Sequence, residues 1–301
     1  MKSPRIAAFA LLAAANLLWA GNWVTGRALR DAFDPITLTF WRWTVAALAL
    51  APFALPEVRA KWQIIRRSSP IVLLLALAGA VAFQALVYLG LRTTTTINAV
   101  LLNSSGPLFI LLCSWILERE TATARQLAGM LISGFGILVI VLRGELGKLL
   151  ELELHSGDVW ILLAMPVWGL YSVLLKRVPR EIGGLALLFV IAASGVAMLL
   201  PWFLFQTIQA PPRWPSGAEV AGVLYIGLAA SVAAFALWNR AVAAVGANSA
   251  GFTMHLLPAF GTLLAMIFLG EAFHAYHAAG IVTILAGVAL ATSQRTRRPS
   301  G

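Results

Sequence analysis

Ten stretches of about 20 predominantly apolar residues, each bounded by charge, proline or glycine, follow one another along this chain. About 20 residues is the length a helix needs to cross a ~30 Å hydrocarbon core. The first five run over 6–26, 36–55, 70–91, 97–117 and 125–142, and the second five over 157–175, 184–206, 218–241, 248–269 and 276–292. Lipid offers no hydrogen bonds, so only helices or closed barrels can span it, and these unbroken runs lack a barrel's two-residue alternation. The expected fold class is therefore all-α integral membrane, with ten transmembrane helices. Composition agrees, since 60% of the residues are hydrophobic and 11% charged, against roughly 25% charged in soluble domains. The first 20 residues imitate a secretory signal, with Lys2 and Arg5 ahead of an Ala/Leu run. That run continues through Trp23 and Val24, so it is expected to stay as helix 1.

Basic residues set the orientation. With the N-terminus inside, cytoplasmic segments hold 15 of the 22 Lys and Arg, among them Arg59, Lys61, Arg66, Arg67, Lys176, Arg177 and Arg180. Both termini are therefore expected in the cytoplasm, in a membrane of the bacterial inner (plasma) type. The formal charge of +10 is spread over many short loops with no aromatic-interleaved basic patch, which argues against nucleic acid and for anionic lipid as the partner of these residues. Cys113 is the single cysteine and sits in an apolar run, where it is expected to pack.

The chain repeats itself. An offset of 151 aligns the fourth and fifth runs with the ninth and tenth, matching Pro107 with Pro258, Phe109 with Phe260, Glu120 with Glu271, Gly129 with Gly280 and Gly136 with Gly287. An offset of 149 aligns LLAAANLLWAGNW of helix 1 with ILLAMPVWGLY of helix 6, placing Trp19 on Trp168 and Arg27 on Lys176. Two repeats follow, 1–146 and 147–301. Five helices per repeat is an odd number, so the second copy enters the membrane from the opposite side, the inverted arrangement of secondary transporters.

The stretch INAVLLNSSGPLFILLCSWILERETATARQLAGMLISGFGILVI and its partner NSAGFTMHLLPAFGTLLAMIFLGEAFHAYHAAGIVTILAGVALA resemble the two EamA repeats of the drug/metabolite transporter superfamily. The shared pattern is a mid-helix Pro, an apolar run, a Glu at the helix end, and a helix with glycines seven apart. The resemblance implies a ten-helix basket around a central cavity, alternating access and export of a small molecule. The layout is also similar to that of YddG-type aromatic amino-acid exporters, one branch of that group.

Intramembrane polar groups are costly and are usually functional or paired, so their inventory is the search for a site. All twelve acidic residues fall at or near span ends. The buried carboxylate on which small multidrug exporters of the superfamily rely is therefore missing from helix 1, as are the oxygen ligands of a metal carrier. No P-loop, serine-hydrolase elbow or carboxylate cluster occurs, so no catalytic, metal or cofactor site is expected, and an intramembrane enzyme or a scaffold is the weaker reading. The candidate substrate-binding residues are Trp19, Asn22, Tyr88, Asn98, Asn103, Trp168, Tyr171, Trp238, Asn239, Met254 and His255. Repeat symmetry pairs Tyr88 with Asn239, and Asn103 with Met254. Such walls suit a bulky neutral or zwitterionic solute, an aromatic amino acid above all, with purines, nucleosides or drugs as the alternative. His255 is the leading titratable group if protons are coupled; otherwise the protein is a facilitator or His255 simply joins helices.

Arg42, between Trp41 and Trp43, either captures a carboxylate or snorkels to the interface, and snorkelling is the favoured expectation. Glu118, Glu120 and Glu271 are expected to cap or bridge helix ends beside Arg119 and Arg125. Pro107 and Pro258 should kink their helices. Gly129, Gly136, Gly280 and Gly287 recur on one helix face, which allows helices 5 and 10 to pack closely on each other or on a second protomer, leaving monomer and homodimer both open.

Overall fold

A computed structural model of the chain describes residues 4–94, 96–145, 147, 150, 153, 155–209, 214–269 and 274–293, and these are overwhelmingly helical with no strand among them. The helices are α1 (Pro4–Ala28), α2 (Pro35–Ala60), α3 (Ser69–Thr93), α4 (Asn98–Glu118) and α5 (Ala124–Val141). There follow α6 (Ser156–Leu174), α7 (Gly184–Gln209), α8 (Gly217–Val245), α9 and α10 (Ala275–Thr292). Helix α9 is divided into Ala247–Phe252, a 3-10 turn at Thr253–His255, and Leu256–Leu269. Among the described residues nine helices, all but α9, are long and apolar enough to cross a membrane. A short helix, Trp62–Arg67, joins α2 to α3.

Local chemistry sets the ends. Pro35 opens α2 behind Asp34, whose carboxylate accepts from Ile36 N at 2.9 Å. Capping boxes begin α5 (Thr123 with Gln126) and α8 (Ser216 with Glu219). Gly246, at φ +84°, ends α8 in a conformation that only glycine adopts freely.

Packing obeys the exchange of one half for the other. Helix α1 packs on α8 and α9 as α6 packs on α3 and α4; α2 meets α8 as α7 meets α3; α2 meets α7, and α5 meets α10. The halves thus interlock through one another rather than standing side by side. The outward faces are apolar, with Leu48, Phe53, Leu131 and Ile267 exposed as lipid requires, and Trp62, Trp115, Trp202 and Trp214 are exposed near span ends.

The regular helix is broken at mirrored places. Helix α4 interrupts at Ser104 and Ser105, just before Pro107, and α9 tightens into its 3-10 turn just before Pro258. Helices α3 and α8 each contain a π segment, Ala76–Ala82 and Ile226–Ala233, closed by bonds from Phe83 N to Ala78 O and from Ala234 N to Ala229 O. The prolines announce the first pair of breaks; no residue type announces the second.

Glycines close the α5–α10 contact within the chain, not against a second protomer. A Cβ on Gly136 would stand 2.8 Å from Gly280 O and from Ile284 N, and one on Gly129 would stand 2.5 Å from Gly287 O. The missing side chains are where the opposite backbone lies. Gly136→Leu or Gly280→Leu is therefore expected to destabilise the protein by about 1–3 kcal/mol through overpacking, read as a lower unfolding midpoint in detergent; an unchanged midpoint would mean the helices do not meet there.

Candidate functional site

Four aromatic rings gather where the halves meet. Trp19 of α1 meets Trp168 of α6 edge to face at 5.2 Å between centroids, and Trp238 of α8 lies 5.2 Å from Trp19 and 5.4 Å from Trp168. Phe235 of α8 completes the group, 5.6 Å from Trp19 and 5.7 Å from Trp168. All four are buried, far from the lipid belts. Each such contact adds roughly 0.5–1.5 kcal/mol beyond the area it buries.

Beside them lies a cavity of about 30 Å3, room for little more than a water. Its walls are Trp19, Asn22 and Trp23 of α1, Arg42 of α2, Phe83, Gln84 and Val87 of α3, Asn103 of α4, Trp168 of α6, Phe235 of α8, and Met254 and Leu257 of α9. Pockets that hold drug-sized ligands measure ~300 Å3 or more, so this cavity is too small for such a solute as it stands.

Arg42 is the main departure from expectation. It does not snorkel: it is fully buried, and its guanidinium is bound from three other helices. Nη1 donates to Asn22 Oδ1 at 2.9 Å, Gln84 Oε1 at 3.0 Å and Tyr88 Oη at 2.9 Å, and Nη2 donates to Ala230 O at 3.2 Å. The Trp43 ring centroid lies 5.6 Å from its Cζ. Three polar side chains out of reach of water hold the head more firmly than the interface attracts it. Trp19 Nε1 donates to the same Ala230 carbonyl at 3.0 Å, where the π segment shifts the hydrogen-bond register of α8.

Symmetry explains part of this site. Tyr88 Oη donates to Asn22 Oδ1 at 3.2 Å, and in the other half Tyr171 Oη donates to Asn239 Oδ1 at 3.0 Å. The repeat offsets place Asn22 on Tyr171 and Tyr88 on Asn239, so one hydrogen bond is kept with its residues exchanged. Tyr171 also stacks on Trp168, with centroids 5.3 Å apart.

The other candidates divide. Asn103 and Met254 line the cavity. Asn98 stands apart from it, donating to Asp158 Oδ2 at 2.7 Å and tying α4 to the start of α6. His255 is buried between helices, with Nδ1 2.5 Å from Ser133 Oγ of α5 and Nε2 3.0 Å from Ser104 O, the carbonyl released by the break in α4. Glu118 and Glu120 do not pair with Arg119 and Arg125; they reach the second half, Glu118 to Arg177 at 2.8 Å and Glu120 to Lys176 at 2.7 Å. Glu271 lies outside the described residues. Cys113 packs beside Pro166. Sequence reasoning passed over Gln84, whose signal was available: an amide inside an otherwise apolar run. Phe83 and Phe235 carried no such signal, because apolar residues in a membrane helix face lipid as often as a cavity.

The EamA-like transporter family model matches residues 6–142 and 155–293. An uncharacterized transporter of Archaeoglobus fulgidus is 28% identical over 288 residues, spanning 95% of this chain and 97% of its own. A probable terminal-alkyne amino-acid exporter of Streptantibioticus cattleyicolor is 28% identical over 258 residues, covering 84% and 82% of the two chains. An S-adenosylmethionine/S-adenosylhomocysteine transporter of Chlamydia muridarum is 20% identical over 265 residues, covering 85% and 82%. A crystal structure superposes with a TM-score of 0.72 at 23% identity, over 95% of this chain and 97% of that one, which establishes the fold.

Trp19→Phe and Trp168→Phe keep most of the buried area but remove the indole contacts across the halves. Each is expected to leave folded, monodisperse protein and to slow transport about fivefold, the weight of one aromatic contact of roughly 1 kcal/mol. Wild-type rates in both would take the pair out of the substrate path.

Proposed function

This chain belongs to the EamA-like transporter family, and from that premise we propose that it carries bulky neutral amino acids, aromatic ones included, across a bacterial inner membrane by alternating access. That family members move small molecules through a membrane is the premise; cargo, direction and mechanism are the proposal. The observation that carries it is the Trp19–Trp168 contact, symmetry-related rings beside a small cavity between two repeats. Two interlocked repeats with one site between them have the parts needed to expose that site to either side in turn. Export and cytoplasmic termini follow from the family resemblance and the bias of the basic residues. The glycine faces of α5 and α10 are used up within the chain, so a monomer suffices.

A second reading, a nucleoside-bearing solute, is favoured by the Chlamydia muridarum relative named for S-adenosylmethionine and S-adenosylhomocysteine. Those molecules also carry an amino-acid end, as does the cargo named for the Streptantibioticus cattleyicolor exporter. Among the described residues no carboxylate lines the cavity, which supports a facilitator that follows its substrate gradient.

Proteoliposomes holding the protein are expected to exchange labelled phenylalanine or leucine in counterflow, at rates indifferent to a pH gradient. Exchange of adenosine without amino acids would favour the second reading. A rate that follows the pH gradient would replace the facilitator with a proton-coupled carrier. Exchange of neither class, with turnover of a lipid or peptide, would end the transport reading.

A further inference from the structure

Arg42 breaks the symmetry that orders the rest of the site. The offset of 149 that matches helix 1 with helix 6 also matches Pro52 with Pro201 and sets Ile191 opposite Arg42. Ile191 is fully buried among apolar neighbours of α7. The Tyr–Asn hydrogen bond exists in both halves, so it needs no guanidinium to form. The fold therefore packs this position with a hydrocarbon in one half and a permanent cation in the other. Burying a cation away from water is expensive unless a counter-charge is present, and among the described residues no acidic side chain lines the cavity or bonds to Arg42.

The guanidinium's own hydrogen bonds point the same way. Of its donors, Nη1 serves three oxygens, Nη2 serves Ala230 O alone, and Nε is buried without a partner. The Nε–Nη2 edge is the fork that takes a carboxylate through two parallel bonds, and here it is the underused edge. A second lining residue, Trp168, also holds a buried donor, Nε1, without an acceptor. Spare donors beside a positive charge are the chemistry that receives an anion.

We infer that Arg42 is the receptor for the carboxylate of the transported solute, so that the cargo is an organic acid or amino acid with an apolar or aromatic body rather than an amine, a nucleobase or a cationic drug. The carboxylate takes the Nε–Nη2 edge as the cavity opens, and the body lies against Trp19 and Trp168. This rests on the transport reading above and narrows its cargo by charge.

The test compares phenylalanine, tryptophan and 3-phenylpropionate with phenethylamine and phenylalaninamide, which share the ring and lack the carboxylate. With the full chain in detergent, the three carboxylates are expected to raise the unfolding midpoint while the amine and the amide leave it unchanged. In Arg42→Gln the carboxylates are expected to bind about ten- to a hundredfold more weakly, the weight of charged hydrogen bonds, with the ligand-free midpoint unchanged or raised. Arg42→Lys, which keeps the charge and loses the fork, is expected to fall between. The inference is overturned if no carboxylate shifts the wild-type midpoint, if the amine or amide shifts it as far, or if Arg42→Gln responds like the wild type. Should Arg42→Gln fail to fold, the wild type still decides: 3-phenylpropionate must compete against labelled phenylalanine in counterflow, and phenethylamine must not. The two readings fail separately. Counterflow indifferent to the carboxylate keeps the transporter and removes the Arg42 site, whereas carboxylate binding without counterflow keeps the site and removes the transporter.

Discussion

A peptide group that enters hydrocarbon has to find its hydrogen-bond partner inside the protein. Regular α-helix meets that demand without help, and most of this chain is regular. The exceptions organise its centre. Where α8 passes through a π segment, the Ala230 carbonyl takes donors from Trp19 and Arg42; where α4 breaks before Pro107, the Ser104 carbonyl takes one from His255. Both of these carbonyls are served by a side chain from a helix of the opposite half. At these two places backbone satisfaction and contact between the halves are the same bonds.

The repeat supplies most of the architecture and then yields at one position. Mirrored helix pairs, mirrored π segments and a mirrored Tyr–Asn bond describe a scaffold that two similar halves can build. Arg42 has no mirror. Its charge makes the cavity electrically one-sided while leaving the interlocking of the helices intact, because the opposite half manages the equivalent position with Ile191.

Much of this was legible in the sequence. The apolar runs, the glycines of α5 and α10 and the prolines of α4 and α9 act locally, through desolvation, missing Cβ atoms and missing N–H groups, and each mechanism is carried by the residue itself. Trp19 and Trp168 were legible for another reason: an offset repeated along the chain converts sequence position into spatial position. Partners are what the string leaves open. The buried place of Arg42, the Asn98–Asp158 bond and the Glu118–Arg177 pair all depend on which helix stands opposite, and nothing in a linear string says that. The π segments were invisible too, since Ala, Gly and Val runs are compatible with either spacing.

The sequence by itself determined that this chain lives in lipid as a set of helices, that two of its stretches share one residue pattern, and that its charged groups gather at or near the ends of the apolar runs. Those properties depend on the free energy of moving residues from water into hydrocarbon, which composition and order fix. Only the tertiary structure decided that the aromatics gather beside a cavity of about 30 Å3, that His255 bridges two helices, and that Arg42 sits in that cavity wall with no counter-charge among the described residues. Those depend on which side chains meet across the halves. A guanidinium has one energy at the membrane surface and a very different one beside Asn22, Gln84 and Tyr88, and the sequence names the residue without naming its neighbours.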